Sequence, residues 1–111
     1  MSRKYVITAT CFDKRGRVLA SATNSYKDSS AFMRYWAVKT GYPYKVYNHA
    51  ECRAIELSLK TGKVIDKILI MRYDSKGSLK NSKPCEICTA VITDLKIKHI
   101  LYSTEDGVVE L

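Results

Sequence analysis

Several things are scarce in this sequence, and each scarcity excludes something. Proline and glycine are few (2 and 5 of 111 residues), which argues against a disordered or low-complexity chain. No apolar run approaches the roughly 20 residues of a membrane-spanning helix. The opening stretch MSRKYVITATCF has no apolar core of a secretion signal and reads straight into an alternating strand pattern, so a soluble, cytoplasmic protein without a membrane partner is expected. Acidic residues are outnumbered, 11 against 19 Lys and Arg, and the formal charge is +8, spread along the chain rather than gathered in a tail. A positive field favours phosphorylated ligands, whether nucleotides or nucleic acid. There are only 2 histidines, so each is informative. With 46% hydrophobic residues, the chain can bury the core of one domain spanning residues 1–111.

The order of elements is readable from periodicity. Residues 4–12 alternate, with Tyr5, Ile7, Ala9 and Cys11 on one face and Val6, Thr8 and Thr10 on the other. Asp13-Lys14-Arg15-Gly16 is a turn and residues 17–24 form a second strand, closing a hairpin. Ala31 to Thr40 has helical spacing through Phe32, Tyr35, Trp36 and Lys39, and Gly41 ends it. Tyr42 to Tyr47 is an aromatic loop. Asn48 is a suitable N-cap for a helix from Ala50 to Lys60, which Gly62 terminates. Val64 to Met71 reads as a strand buried on both faces, Asp74 to Lys83 as a polar loop. Pro84 suits the first turn of a further helix with Ile87, Ala90, Val91 and Leu95 on its buried stripe. Residues 97–102 form another strand and 107–111 a short edge strand. The predicted fold is α/β: a mixed sheet with an N-terminal hairpin, then strands joined by a parallel, right-handed crossover, flanked by helices.

Two short pieces carry chemistry, His49-Ala50-Glu51 and Pro84-Cys85-Glu86-Ile87-Cys88. Four cysteines without a secretion signal favour metal over disulfides. Zinc accepts imidazole and thiolate in tetrahedral geometry. Cys85 and Cys88, three apart at a helix start, put both sulfurs on one side of the first turn, where the positive helix end favours thiolate. His49 opens the other helix. Three protein ligands leave a fourth position for water, and Glu51, two residues from a ligand, can reach that water and move its protons. The pattern H-x-E with P-C-x-x-C is the known signature of zinc base deaminases. A rival arrangement recruits Cys52, making a closed Cys₃His site that would be structural. Cys11 reads as a buried free cysteine and His99 as a packed or edge histidine.

From His49 to about Gly107 the chain resembles the cytidine and deoxycytidylate deaminase superfamily. It looks closest to the branch with a histidine ligand, and AFMRYWAVKTGYPYKVYNHAE and LKNSKPCEICTAVITDLKIKHILYST look like small deaminase-like proteins often encoded by phages. The resemblance implies a cytidine deaminase-like fold, a zinc cofactor, and hydrolysis of a cytosine nucleoside or nucleotide to uracil and ammonia. It also implies that Asn24 holds the sugar, the Ala50 N–H binds the base, the Lys83 carbonyl accepts from the leaving amine, and Tyr102 lines the pocket. Arg53 stands where deoxycytidylate deaminases commonly carry Asn, and could meet a phosphate or carboxylate instead. Arg34, Tyr35, Trp36, Lys39, Tyr42, Tyr44, Lys45 and Tyr47 combine cations with stacking rings, which also suits single-stranded nucleic acid. Homo-oligomer formation is expected, because a domain this small gains from assembly.

Overall fold

The structure, a computed structural model, describes residues 5–111; residues 1–4, where the expected first strand and the opening stretch begin, lie outside the described residues. Strands β1 (Val6–Phe12) and β2 (Val18–Thr23) form the expected hairpin. Asp13 makes its turn: one carboxylate oxygen accepts from the Arg15 and Arg17 N–H groups, and Gly16 takes φ +81°. Helices α1 (Ala31–Lys39) and α2 (Ala50–Leu59) follow, then strands β3 (Lys67–Tyr73) and β4 (Leu79–Lys80), helix α3 (Glu86–Asp94), and strands β5 (His99–Thr104) and β6 (Gly107–Glu110).

The six strands make one mixed sheet in the order β2-β1-β3-β5-β6, with β4 paired to the far end of β3. β3 and β5 run parallel, as the crossover through α3 requires, and the other pairs are antiparallel. Alternation assigns the two faces. Ala9 and Cys11 of β1 sit opposite Ile70 and Ile68 of β3, and all four are fully buried. They form the core with Met33, Trp36 and Ala37 of α1, Ala54 and Ile55 of α2, and Ile87, Val91 and Ile92 of α3. Leu69, Met71 and Leu101 fall on the other face and are only half-buried.

Several boundaries differ from the sequence expectation. Strand β3 begins at Lys67, not Val64, whose side chain is 82% exposed; the Asp66-Lys67 interruption is where pairing starts, since the Asp66 N–H donates to the Phe12 carbonyl. The polar loop 74–83 contains β4, because the Asp74 carboxylate accepts from Lys76 and Ser78 N–H groups and folds the chain back on β3. The buried face of α1 runs through Met33, Trp36 and Ala37, while Tyr35 and Lys39 face outwards.

Candidate active site

Helix α1 starts ordinarily: the Ser30 hydroxyl oxygen accepts from the Met33 N–H. The other two helices do not. His49 occupies the N-cap position of α2 and Cys85 that of α3, and neither makes a side-chain cap hydrogen bond. Asn48, the expected cap, is turned elsewhere. Its side-chain oxygen accepts from the Ser30 hydroxyl, its N–H donates to Asp28 and its carbonyl accepts from Ser25, so it ties the 25–30 loop to the start of α2. Pro84 likewise lies one residue outside the helix rather than in its first turn.

Leaving both cap positions to potential metal donors brings them together. The His49 Nδ1 is 3.3 Å from the Cys88 sulfur and 3.4 Å from that of Cys85, and the three donor atoms all lie within 4.8 Å of one another. In a tetrahedral zinc site with Zn–N near 2.0 Å and Zn–S near 2.3 Å, neighbouring N and S ligands are about 3.5 Å apart. The donor set and its spacing therefore fit zinc. Cys52 approaches the Cys88 sulfur at 3.7 Å but stands outside the three-donor group.

The titration of these groups reflects crowding. Hydrogen bonding to Cys88 holds the Cys85 thiol down at about 3, with help from His49 and against burial. Cys88, bonded to Cys52 and Cys85 and buried, is pushed well above the usual thiol range. His49 is raised chiefly by its bond to Cys85, against the opposing effect of burial. Glu51 is only 6% exposed, and burial pushes its carboxyl up. A buried acid of raised pKa beside a metal-ligand cluster suits a group that must take up and release protons.

The cluster opens into a cavity of about 520 Å³ at the carboxyl end of β3. Asn24, Ala50, Glu51, Lys83, His49 and Cys85 line it, so six of the expected residues meet there. Asn24 is already engaged: its side-chain oxygen accepts from the Ile7 N–H and its amide donates to the Tyr5 carbonyl. Tyr102 does not line the cavity. It sits on β5 between Ile70 and Val109 and packs against the core, which is what a half-buried ring on the helix-side face does. Arg53 is also elsewhere, paired with Glu56 at 3.1 Å along α2. Sequence reasoning missed Arg72, which lines the wall; its only signal was a charge ending the apolar run of β3. Of the aromatic and basic stretch, Tyr44, Lys45 and Tyr47 line the cavity, whereas Arg34 bonds Ser29 and Lys39 lies over the Tyr35 and Trp36 rings. His99 is neither packed nor on an edge strand: it is exposed at the start of β5, which β3 and β6 flank, 2.8 Å from Glu110.

The loop presenting Cys85 is pinned by two buried serines. β3 and β5 pair only as far as Ile70 and Tyr102. Beyond that the Ser82 hydroxyl donates to the Ile70 carbonyl and accepts from the Ser103 N–H, while the Ser103 hydroxyl accepts from the Arg72 N–H and donates to the Lys80 carbonyl. The strands separate there, and the segment from Lys80 to Ser82 bridges them.

A mixed sheet of six strands flanked by three helices, with a His-Cys-Cys group positioned to bind a metal where two helices begin, defines a metal-site protein of the cytidine deaminase fold. Residues 2–104 match the family described as "Cytidine and deoxycytidylate deaminase zinc-binding region", and the chain belongs to that family. Among solved structures it is similar to cytidine deaminase from Mycobacterium leprae, with 18% identity over 96% of this chain and 75% of that one and a TM-score of 0.58. It is also similar to a mutant cytidine deaminase from Mycobacterium tuberculosis, with 18% identity over 96% and 73% and a TM-score of 0.57. No curated protein matches the chain. Among the described residues no helix is long and apolar enough to cross a membrane.

Proposed function

We propose that the protein is a zinc-dependent hydrolytic deaminase that converts the cytosine of a free (deoxy)cytidine nucleoside or nucleotide to uracil and ammonia. The observation that carries this reading is one juxtaposition: His49, Cys85 and Cys88 donors within 4.8 Å, beside the buried Glu51, on the wall of a cavity of about 520 Å³. Zinc, when bound there, supplies the Lewis acid that makes water a nucleophile near neutral pH. Glu51 takes a proton from the attacking water and delivers it to the ring nitrogen next to the attacked carbon. It then carries the second proton to the amine, which departs as ammonia. Ala50 follows the His49 cap, so its N–H points out of the first turn of α2 and suits an oxygen or ring acceptor of the base. The Lys83 carbonyl, next to the Pro84-Cys85 start of α3, suits the leaving amine, and Asn24 flanks the sugar. Tyr102, half-buried against the core, has no part in this proposal.

A second reading, deamination of cytosine in single-stranded nucleic acid, is favoured by one observation: Tyr26, Tyr44 and Tyr47 line the cavity yet are 47%, 72% and 52% exposed, as stacking platforms for neighbouring bases would be. A closed Cys₃His site is disfavoured by the position of Cys52 outside the donor group. The half-buried Leu69, Met71 and Leu101 face, outside the core, supports assembly into a homo-oligomer, to be checked by sedimentation.

The test offers the zinc-loaded protein deoxycytidine, deoxycytidine monophosphate and a single-stranded oligonucleotide, and measures uracil. Turnover of monomers supports the first reading and turnover of the oligonucleotide alone the second. No uracil from any of them overturns both.

A further inference from the structure

The cavity wall holds Glu51 beside the sulfur cluster, and three cations stand among its polar and aromatic residues. Lys45, Arg72 and Lys83 line it, and Glu51 is the only acid among the described lining residues. Among the described residues none of these three cations is in an ion pair. Arg72 differs from the two lysines because it comes from a strand. β3 buries Ile68 and Ile70 completely on its helix-side face, and the two-residue repeat puts Arg72 next on that face. An apolar side chain there would extend the core. A guanidinium ends it instead, at the carboxyl end of β3 where the cavity opens.

That guanidinium is held in place but underused. It lies 4.0 Å from the centre of the Tyr5 ring, and its Nη1 donates to the Asn81 carbonyl at 3.3 Å. Its Nε is buried with no hydrogen-bond partner. A planar fork of five N–H donors with so few bonds made is arranged for a two-pronged acceptor, and phosphate is an acceptor that fits the fork in a cavity whose only described lining acid is Glu51.

We infer that Arg72 is the residue by which this cavity selects a substrate carrying a phosphate. For the base end the inference rests on the deaminase reading. With the cytosine ring at Glu51, the group farthest from the reacting carbon is the 5′-phosphate, and Arg72 is the lining cation on the sheet side to receive it.

The experiment is calorimetric titration of the zinc-loaded protein, and of Arg72→Gln and Arg72→Lys, with deoxycytidine, deoxycytidine monophosphate and a short single-stranded deoxycytidine oligonucleotide. The unaltered protein is expected to bind the monophosphate at least about tenfold more tightly than the nucleoside, a margin that shrinks as salt is raised. The margin should collapse in Arg72→Gln and return in part in Arg72→Lys. An Arg72-dependent margin on the monophosphate assigns a terminal phosphate, and one on the oligonucleotide alone assigns the phosphodiester of a strand. Equal affinity for nucleoside and phosphorylated ligands in the unaltered protein overturns the inference, as does a margin unchanged in a folded Arg72→Gln. The first of these results holds even if the variants fail to fold. Binding is read without turnover, so a protein that shows the margin but forms no uracil sinks the deaminase reading and leaves the role of Arg72 standing.

Discussion

At the scale of single residues, Glu51 and Cys52 are neighbours with opposite expected importance. Glu51 lies in the first turn of α2 with its carboxyl pushed up by burial, so it can hold a proton in a pH range where an exposed glutamate could not. Glu51→Gln keeps the shape and removes the proton carrier; uracil formation should fall by at least about 100-fold, while metal analysis shows zinc retained. Cys52→Ser should leave zinc content and turnover essentially intact, since its sulfur stands outside the donor group; loss of zinc in that variant would mean a four-ligand closed site. Cys11 shows how burial dominates a titration. It is fully buried, and burial pushes its thiol up to about 11, with the Ser58 hydroxyl opposing. Below about pH 9 both folded and unfolded chains keep that proton. Above it the unfolded chain releases the proton first, so stability falls until about pH 11, by something like 2–3 kcal/mol. Urea unfolding across this range should show a shallower decline in Cys11→Ala, and parallel declines would refute the assignment.

The elements matter through their ends. Each site helix gives its cap position to a potential metal donor, His49 or Cys85, and the structure supports those ends from outside the helix. Asn48 ties down the approach to α2, and the Ser82–Ser103 pair fixes the approach to α3. Ser82→Ala would leave the Ile70 carbonyl and the Ser103 N–H without their side-chain partner in a buried place, which costs about 1–3 kcal/mol. The loop carrying Cys85 should loosen with it, so a chelator should strip zinc from this variant at lower concentration than from the unaltered chain. Unchanged chelator resistance would show that α3 positions its cysteines unaided. Helix and strand order was legible in the sequence because periodicity reports which face is buried. The ends were less legible: Asn48 looks like a cap by type, but its partners, Ser25, Asp28 and Ser30, lie about twenty residues away.

Across the whole molecule, the candidate metal site draws on both α2 and α3. Zinc held by donors of both should stabilise the folded chain, by roughly 3 kcal/mol when free zinc is 100 times its dissociation constant. Chelation should therefore lower the melting temperature by about 10 °C in a chain of this size. A melting temperature indifferent to chelator would mean that the cluster holds no structural share of the metal's binding energy.

The sequence by itself determined the class of chemistry. His49, Cys85 and Cys88 are the residue types a zinc-like metal takes, at a spacing that lets them converge, and Glu51 stands two residues from one of them. It also determined the hairpin and the parallel crossover, because apolar alternation and turn residues are local signals. Only the tertiary structure decided the rest of the cavity. It packed Tyr102 against the core, paired Arg53 with Glu56 along α2, and brought Arg72 to the wall. The reason is that a strand residue's surroundings depend on where the sheet ends and what packs over it, and neither is encoded within a few positions of the residue itself. Cys52 shows the same dependence: its spacing allowed a fourth ligand, and the structure places its sulfur 3.7 Å from that of Cys88 but outside the three-donor group.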